Sequence, residues 1–224
     1  MADVLRNLDW SVLTGVLISI IPAILCMTIH ECAHGFVAYK LGDPTAKNGG
    51  RLTLNPLKHI DVIGLVMLAV FHFGWAKPVP IDMRNFKYPK RGMAISALAG
   101  PLSNVLLSIV FLFLYGFFFP LLQSSAFGEI VLQVLYMTAY ISIAFAVFNI
   151  IPIPPLDGSK VLYSVISDRA YFKLMRYERY GMFLLVLLVA TGILGRTLSE
   201  AVSFIVDRLF VIAEGAYEVS RLIF

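Results

Sequence analysis

Two histidines and a glutamate lie within one short stretch, MTIHECAHGF at residues 27–36. His30 and His34 are four positions apart, so on a helix their imidazoles project from one face and can hold one metal ion. Glu31 lies beside them, as a base that acts on a metal-activated water must. Zinc suits two imidazoles plus a carboxylate and leaves a position open for water in catalytic sites. The spacing therefore predicts a hydrolytic zinc centre.

This stretch continues a run that is apolar enough to lie in lipid. Residues 10–29 form 20 consecutive positions without a charge. An ionisable side chain at the centre of a bilayer costs about 2.5–3.5 kcal/mol even on the mildest insertion scale. Because packing alone rarely justifies that cost, the setting favours a functional interpretation of the motif.

A third ligand must come from elsewhere in the chain, and Asp157 is the candidate. Of the 14 acidic residues, only Glu31 and Asp157 are expected at membrane depth. Asp157 lies in NIIPIPPLDGSK (149–160), where three prolines prevent a regular helix. The acid is predicted to be the N-cap of the helix that follows. A plain helix cap is the alternative interpretation, and the residues alone leave both open.

Three further side chains are weaker candidates for the metal site. His59 follows a lysine and is interpreted as a solvated interface residue, and His72 is interpreted as structural. Cys26 precedes His30 by four positions, so it shares that helical face and is expected beside the site at most. Cys26 and Cys32 point in different directions on a helix, which argues against a disulfide between them.

The composition places the chain in a membrane. It has 224 residues, of which 59% are hydrophobic and 14% are charged, whereas soluble domains carry about 25% charged residues. The formal net charge of +4 is then no sign of nucleic-acid binding, because basic residues of membrane proteins mark cytoplasmic loops. We expect an integral membrane protein without a nucleic-acid partner.

Three uncharged stretches are long enough to cross a bilayer, which takes about 20 apolar residues. They are residues 10–29, 92–128 and 130–156. A fourth stretch, 62–76, has only 15 residues, about 22 Å at helical rise. It is too short to span comfortably.

The charges of the loops predict the orientation. The segments 40–61 and 77–91 are rich in lysine and arginine, and the connector 123–129 has no basic residue. Both basic segments are therefore expected in the cytoplasm and the connector outside. The stretch 62–76 separates the two basic segments, so it must enter the membrane and return. This topology brings Asp157 and the histidines to a similar depth on the cytoplasmic side.

Five ordered motifs carry a resemblance to a known family. They are HECAH (30–34), GRLTLNP (50–56), GWAKPVP (74–80), AGPLSN (99–104) and NIIPIPPLDG (149–158). Together they resemble the site-2 protease family of intramembrane zinc metalloproteases, in the compact bacterial form without PDZ or CBS modules. The resemblance runs over roughly residues 29–160, which is most of the chain.

The resemblance implies roles for particular residues. It implies one zinc ion held by His30, His34 and Asp157, Glu31 as the general base, and Asn149 as a polar group for the scissile carbonyl or its oxyanion. Residues of the other motifs are expected along the substrate path, namely Gly50, Arg51, Leu52, Lys77, Pro78 and Asn104. For Gly100 and Pro101, close helix packing is an equally good interpretation.

The expected fold is an all-α polytopic membrane protein. The resemblance implies a three-helix catalytic core with a membrane-inserted β-hairpin or re-entrant loop near residues 49–56. We expect a single domain over 1–224, with the core at about 10–168 and additional C-terminal helices at about 180–224. The expected location is the cell membrane, with the active site towards the cytoplasm.

The implied function is hydrolysis of peptide bonds in or near transmembrane segments of membrane proteins, as in regulated intramembrane proteolysis. The partners are then the lipid bilayer and a transmembrane protein substrate, and the sequence indicates neither its identity nor an oligomeric state. A metal transporter is the rival, although the outer half of the second span (110–119) carries no chain of ligands. A catalytically inactive regulator is disfavoured because every candidate catalytic residue is present.

Overall fold

The computed structural model describes residues 10–61, 64, 76–167, 170, 180–188 and 191–224. These ranges are mostly helical, and residues 180–188 also form a helix. Two short 3-10 helices, Pro56–Lys58 and Met83–Asn85, lie between the first and second long helices. The α-helices are α1 (Trp10–Lys40), α2 (Thr45–Asn48), α3 (Pro89–Leu122), α4 (Ala126–Asn149), α5 (Asp157–Val165), α6 (Ile193–Leu209) and α7 (Val211–Ile223).

Three of the helices are long and apolar enough to cross a membrane. They are Ile18–Lys40 within α1, with 23 residues, Pro89–Leu122 with 34 and Ala126–Asn149 with 24. Each exceeds the length of about 20 residues that a bilayer requires. The predicted multi-pass membrane protein is confirmed, and the first span extends through the HECAH motif to Lys40.

Small residues allow α3 to pack closely against its neighbours. The half of α3 that begins at Pro89 buries Gly92, Ala94, Ser96, Ala97 and Gly100. In a membrane, helices associate through such small residues because lipid offers no hydrophobic drive between them. As a result α3 contacts both α1 and α4, and it forms the wall against which the motif of α1 packs.

The C-terminal helices cover the outside of this three-helix core. Val202 and Val206 of α6 pack on Ile143 of α4. Ala213 of α7 packs between Leu112 of α3 and Ala139 of α4. The additional C-terminal helices that the sequence predicts are therefore present, and they contact the core through α3 and α4.

The predicted β-hairpin near residues 49–56 is not confirmed. Within the described ranges no β-strand forms, and 49–56 consist of turns and bends that end in a 3-10 helix beginning at Pro56. Gly50 has a positive φ of 62° and Pro56 lacks an N–H group, so neither suits a paired strand. The observed pairing is one antiparallel bridge between Ile60 and Ala76.

The predicted re-entrant stretch 62–76 lies outside the described residues, apart from Gly64 and Ala76. Its two ends are nevertheless side by side. Ile60 and Ala76 form the antiparallel bridge, and the Lys77 N–H donates to the His59 carbonyl at 2.9 Å. The residues on the two sides of this stretch are therefore adjacent in the structure.

The proline-rich turn after α4 delivers Asp157 to the core. α4 ends at Asn149, and residues 150–156 form bends and turns before α5 begins. The prediction that Asp157 is the N-cap is wrong by one position: Leu156 is the N-cap, and Asp157 is the first helical residue. No side chain makes a capping hydrogen bond at this helix start, and the Asp157 carboxylate points towards α1.

Candidate metal centre

Helix α1 holds His30 and His34 on one buried face. Their side chains are 5% and 6% exposed, and their rings meet edge to face with centroids 4.6 Å apart. This is the arrangement that the four-residue spacing predicts for a helix.

Asp157 reaches the same point from the start of α5. Its Oδ2 atom lies 3.0 Å from His30 Nε2 and 2.9 Å from His34 Nε2, and the carboxylate is also buried. The ligand atoms of the three residues all lie within 4.8 Å of one another. Two imidazole nitrogens and one carboxylate oxygen form a donor set that zinc accepts, with a fourth position left for water. The donor set therefore fits a zinc ion.

A second set of groups orients these donors. His34 Nδ1 is 2.7 Å from the Ser96 carbonyl of α3, which can only accept, so Nδ1 carries a proton and Nε2 is the ring atom directed at Asp157. Lys160 Nζ donates to the other oxygen of Asp157, Oδ1, at 2.8 Å. Such outer partners fix the tautomer and direction of metal-binding side chains.

Electrostatics keep the Asp157 carboxylate ionised. Burial by itself would raise the pKa of this group. The contacts with His30 and His34, aided by the nearby Lys160 ammonium, outweigh that effect and hold the pKa well below its usual range. An ionised carboxylate is the form that binds a metal.

Gly100 makes the close approach of α3 and α1 possible. A Cβ atom at this position would lie 2.5 Å from His34 Cε1 and Nε2 and 2.7 Å from His30 Cε1. Of the two interpretations of the AGPLSN motif, close packing against the imidazoles is therefore the one that the contacts support at Gly100.

Glu31 lies next to the cluster without joining it. Its side chain is partly exposed, and its Oε2 atom accepts a hydrogen bond from the Val79 N–H at 2.8 Å. A carboxylate that lies beside a metal site without belonging to the ligand set is what a general base requires.

The structure brings several predicted substrate-path residues together near Glu31. Arg51 Nη2 donates to the carbonyls of Lys77 at 2.8 Å and Pro78 at 3.3 Å. A Cβ atom at Gly35, one turn after Glu31, would lie 3.5 Å from Leu52 Cδ1. Gly50 lies in the same loop, with its positive φ.

Asn149 and Asn104 are placed differently. Asn149 is partly buried at the end of α4, and its Nδ2 donates to the Phe145 carbonyl at 3.0 Å. The Phe145 ring packs against His30, with centroids 6.3 Å apart. Asn104 is fully buried in α3, and its backbone carbonyl accepts a hydrogen bond from the Ser142 hydroxyl of α4 at 2.8 Å. Asn104 thus joins two helices.

Two of the weaker candidates, His59 and Cys26, lie outside the cluster of ligand groups. The interpretation of His59 as solvated is wrong: the side chain is 0% exposed, and Nε2 lies 2.8 Å from the Thr53 carbonyl. Cys26 is also fully buried, and its Sγ donates to the Thr138 carbonyl at 3.5 Å. His72 lies outside the described residues.

Sequence reasoning missed Ser96, Val79 and Lys160. Ser96 and Val79 act through a backbone carbonyl and a backbone N–H, so no side-chain type could have signalled them. Lys160 follows Asp157 by three positions, a spacing at which helical side chains interact. That spacing is a signal that the sequence does contain.

The chain is similar in sequence to known proteins. The sequence profile of peptidase family M50 matches residues 119–191. "Putative zinc metalloprotease YwhC" of Bacillus subtilis (strain 168) is 36% identical over 179 residues, which cover 77% of this chain and 80% of that protein. Rip2 of Mycolicibacterium smegmatis, which carries the same description, is 28% identical over 211 residues, 92% of this chain and 78% of that protein. No solved structure matches the chain significantly.

The apolar helices are those of a multi-pass membrane protein, and the buried cluster could hold a metal ion. The chain belongs to peptidase family M50, the site-2 protease family. The resemblance that the five motifs predicted is thereby confirmed.

Proposed function

We propose that this protein is an intramembrane zinc metalloprotease. It hydrolyses peptide bonds within or near transmembrane segments of membrane-protein substrates, in regulated intramembrane proteolysis. The proposal rests mainly on the buried cluster of His30, His34 and Asp157. This cluster joins the membrane-spanning helix α1 to the start of α5, which follows the membrane-spanning helix α4. The relatives named as zinc metalloproteases support the same chemistry.

In this proposal His30, His34 and Asp157 hold one zinc ion per chain. When bound, zinc lowers the pKa of a coordinated water and polarises a carbonyl oxygen. Ser96 and Lys160 hold the ligands in place through His34 Nδ1 and Asp157 Oδ1. Gly100 admits the two imidazoles against α3.

Glu31 is the general base of the proposed reaction. It accepts the proton of the attacking water and passes it to the nitrogen of the leaving amine. The Val79 N–H occupies Oε2 of Glu31, which leaves Oε1 for this proton. Asn149 lies one turn from Phe145, which packs on His30, and its amide is the candidate donor to the scissile carbonyl.

The site must lie at the same depth in the membrane as the peptide bond that it cleaves. A peptide bond in a transmembrane helix lies in the bilayer, and its N–H and C=O groups are engaged in internal hydrogen bonds. The residues that act on it must therefore lie at membrane depth, and the substrate must unwind locally. The segments 50–52 and 77–78 and Asn104 are proposed to border its path.

The proposed setting follows from the charges of the loops. The protein forms one integral domain over 1–224 in the cell membrane, with the site towards the cytoplasm. The side-by-side ends of the 62–76 stretch support this topology, because they place the basic segments before and after it at one level. The basic residues near Lys58 and Arg84 then face the cytoplasm.

A cleavage assay in vesicles tests the proposal. Purified protein, loaded with zinc and reconstituted with a model single-span substrate, should release a fragment cut in or near the transmembrane segment. The zinc chelator 1,10-phenanthroline should abolish that product. Absence of cleavage together with zinc movement into the vesicles would instead favour the transporter interpretation.

A further inference from the structure

The segment 76–82 runs along the end of α1 that carries the metal-site motif. The bridge from Ala76 to Ile60 and the hydrogen bond from Lys77 to His59 fix its beginning. Its last residue, Asp82, donates its N–H to Asp43 Oδ2 at 2.7 Å. The segment is therefore anchored at both ends to the chain that follows α1.

Between these anchors, Arg51 binds the backbone of the segment. Nη2 of Arg51 donates to the Lys77 carbonyl at 2.8 Å and to the Pro78 carbonyl at 3.3 Å. The side chains of Lys77 and Pro78 are exposed, so Arg51 holds the main chain and not the side chains. A planar guanidinium can donate to two such acceptors at once, whereas an ammonium is a point donor.

The next residue along the segment contacts the proposed base. The Val79 N–H donates to Glu31 Oε2 at 2.8 Å. The Val79 side chain is buried and lies over Gly35, where an added Cβ atom would come 3.0 Å from Val79 Cγ1. Val79 therefore fits against α1 at two successive turns, at Glu31 and at Gly35.

We infer that Arg51 is a positioning residue that orients Glu31 through the 77–79 backbone. Arg51 holds the carbonyls of the 77–78 and 78–79 peptide units. The second of these units also contains the Val79 N–H, which donates to one oxygen of Glu31. The inference rests on the proposed role of Glu31, and it gives the GRLTLNP and GWAKPVP motifs a joint task. In this role Arg51 borders the proposed substrate path without binding the substrate directly.

Steady-state kinetics separate the two roles of Arg51. Displacing a catalytic group by about 1 Å costs about 100-fold in rate, so Arg51→Ala should lower kcat by about 10- to 100-fold. KM should stay within about twofold and zinc content should be unchanged. Arg51→Lys should restore part of kcat, because one ammonium can reach one of the two carbonyls. Lys58→Ala, which removes an exposed cation of the same loop, is the control and should behave as wild type.

A rise in KM with kcat unchanged would show that Arg51 binds substrate, and it would overturn the inference. So would wild-type values for both parameters. If Arg51→Ala fails to fold, Val79→Pro provides the second variant because it removes the N–H that contacts Glu31. Its control is Val79→Ala, which keeps that N–H and loses only the packing on Gly35.

The two variants should not be additive, because both break one connection. Arg51→Ala combined with Val79→Pro should lower kcat by no more than about twofold beyond the worse single variant. Multiplicative losses would mean that the two residues act separately, and the connection through the 77–79 backbone would be wrong.

Hydrogen exchange measures the connection without any activity. The peptide that covers 77–82 should exchange slowly in the wild type and about 10-fold or more faster in both Arg51→Ala and Glu31→Ala, since the latter removes the acceptor of the Val79 N–H. Unchanged exchange in Arg51→Ala would overturn the inference even if the enzyme is active. A wild type that protects this peptide but cleaves no substrate would contradict the proposed function and leave the connection established.

Discussion

Asp157 Oδ2 lies 3.0 Å from His30 Nε2, although 127 residues separate the two in sequence. The contact joins the membrane-spanning helix α1 to the first residue of α5. His34 completes the group from the same face of α1. Three buried ionisable side chains at one point are costly unless they pair or bind a metal, which makes metal content the first property to measure.

Removal of one donor should release the zinc. We expect His30→Ala and Asp157→Ala each to weaken zinc affinity at least about 100-fold, because loss of even an outer partner of a metal ligand costs about 10- to 100-fold. Zinc per chain, measured by plasma mass spectrometry after a chelator wash, should fall from about one to near zero. Asp207→Ala removes an exposed acid of α6 and is the control. Full occupancy in Asp157→Ala would remove this residue from the site.

Glu31 should be separable from the metal. Its contact is with the Val79 N–H and not with the cluster, so Glu31→Gln should keep about one zinc per chain. A positioned general base contributes about 100- to 10,000-fold, so cleavage of a model transmembrane substrate should fall by at least about 100-fold. Glu200→Gln changes an exposed acid and should retain activity. Near wild-type cleavage by Glu31→Gln would refute the assignment of the base.

Substitution of Gly100 in α3 should disturb the metal site. Its added Cβ would lie 2.5 Å from the His34 ring, so Gly100→Ala must displace the imidazoles or the helix. Overpacking of this kind costs about 1–3 kcal/mol, and we expect both a lower Tm in detergent and about 10-fold weaker zinc binding. Gly215→Ala is the matched control, since nothing lies within 4 Å of a Cβ there. Equal zinc affinity in the two variants would contradict the close packing.

Asp43 should make the stability of the loop region dependent on pH. The buried carboxylate accepts hydrogen bonds from the side chains of Thr45 and Asn85 and from the Asp82 N–H. Burial alone would raise its pKa, but these hydrogen bonds lower it overall, below the ordinary value of 3.8. Because the pKa is lowered in the folded state, the stabilisation is complete above the ordinary pKa and is lost as the pH falls through the folded value.

The measurement compares the Tm of wild type and Asp43→Asn between pH 7 and pH 3. Loss of a charged acceptor with several donors should cost about 1–3 kcal/mol, so the variant should melt lower at pH 7. The difference in Tm between wild type and Asp43→Asn should be constant down to about pH 4 and should become smaller below it. Asp207→Asn controls for the loss of a surface carboxylate. A Tm difference that grows towards low pH would mean that folding raises the pKa of Asp43, contrary to this prediction.

Two members of the metal cluster could be predicted from a local signal, because the spacing of His30 and His34 fixes a shared helical face. The residues alone left Asp157 open between a helix cap and a ligand, and the family resemblance favoured the ligand. The close approach at Gly100 was left open, because a glycine in a helix does not show which neighbour needs the space. The prediction for His59 was wrong because a histidine beside a lysine is expected to be solvated, whereas the fold buries this side chain and places its Nε2 against the Thr53 carbonyl.

The contacts that orient the site were harder to predict for a different reason. Val79 and Ser96 act through backbone groups, which every residue possesses and no residue type reveals. The hairpin near 49–56 was expected from family resemblance. The local residues, Gly50 and Pro56, instead favour turns, so the resemblance and the local chemistry disagreed.

The last prediction concerns how the chain crosses the membrane. Residues 62–76 should enter the bilayer without crossing it, which leaves Lys58 and Arg84 on the cytoplasmic side. The stretch is shorter than the hydrocarbon core and both flanks are basic. The bridge between Ile60 and Ala76 adds a structural reason, since the ends of a spanning segment would lie about 30 Å apart.

Single cysteines at positions 58 and 84 test this topology, on a background with Cys26 and Cys32 replaced. Both positions are exposed, so an impermeant thiol reagent can reach them once it has access to their side of the membrane. In intact cells both should be protected, and both should react after the cells are opened. A cysteine at Ser124, in the connector between α3 and α4, is the control and should react from outside. Labelling of only one of positions 58 and 84 in intact cells would show a true span, which the bridge between Ile60 and Ala76 could not accommodate.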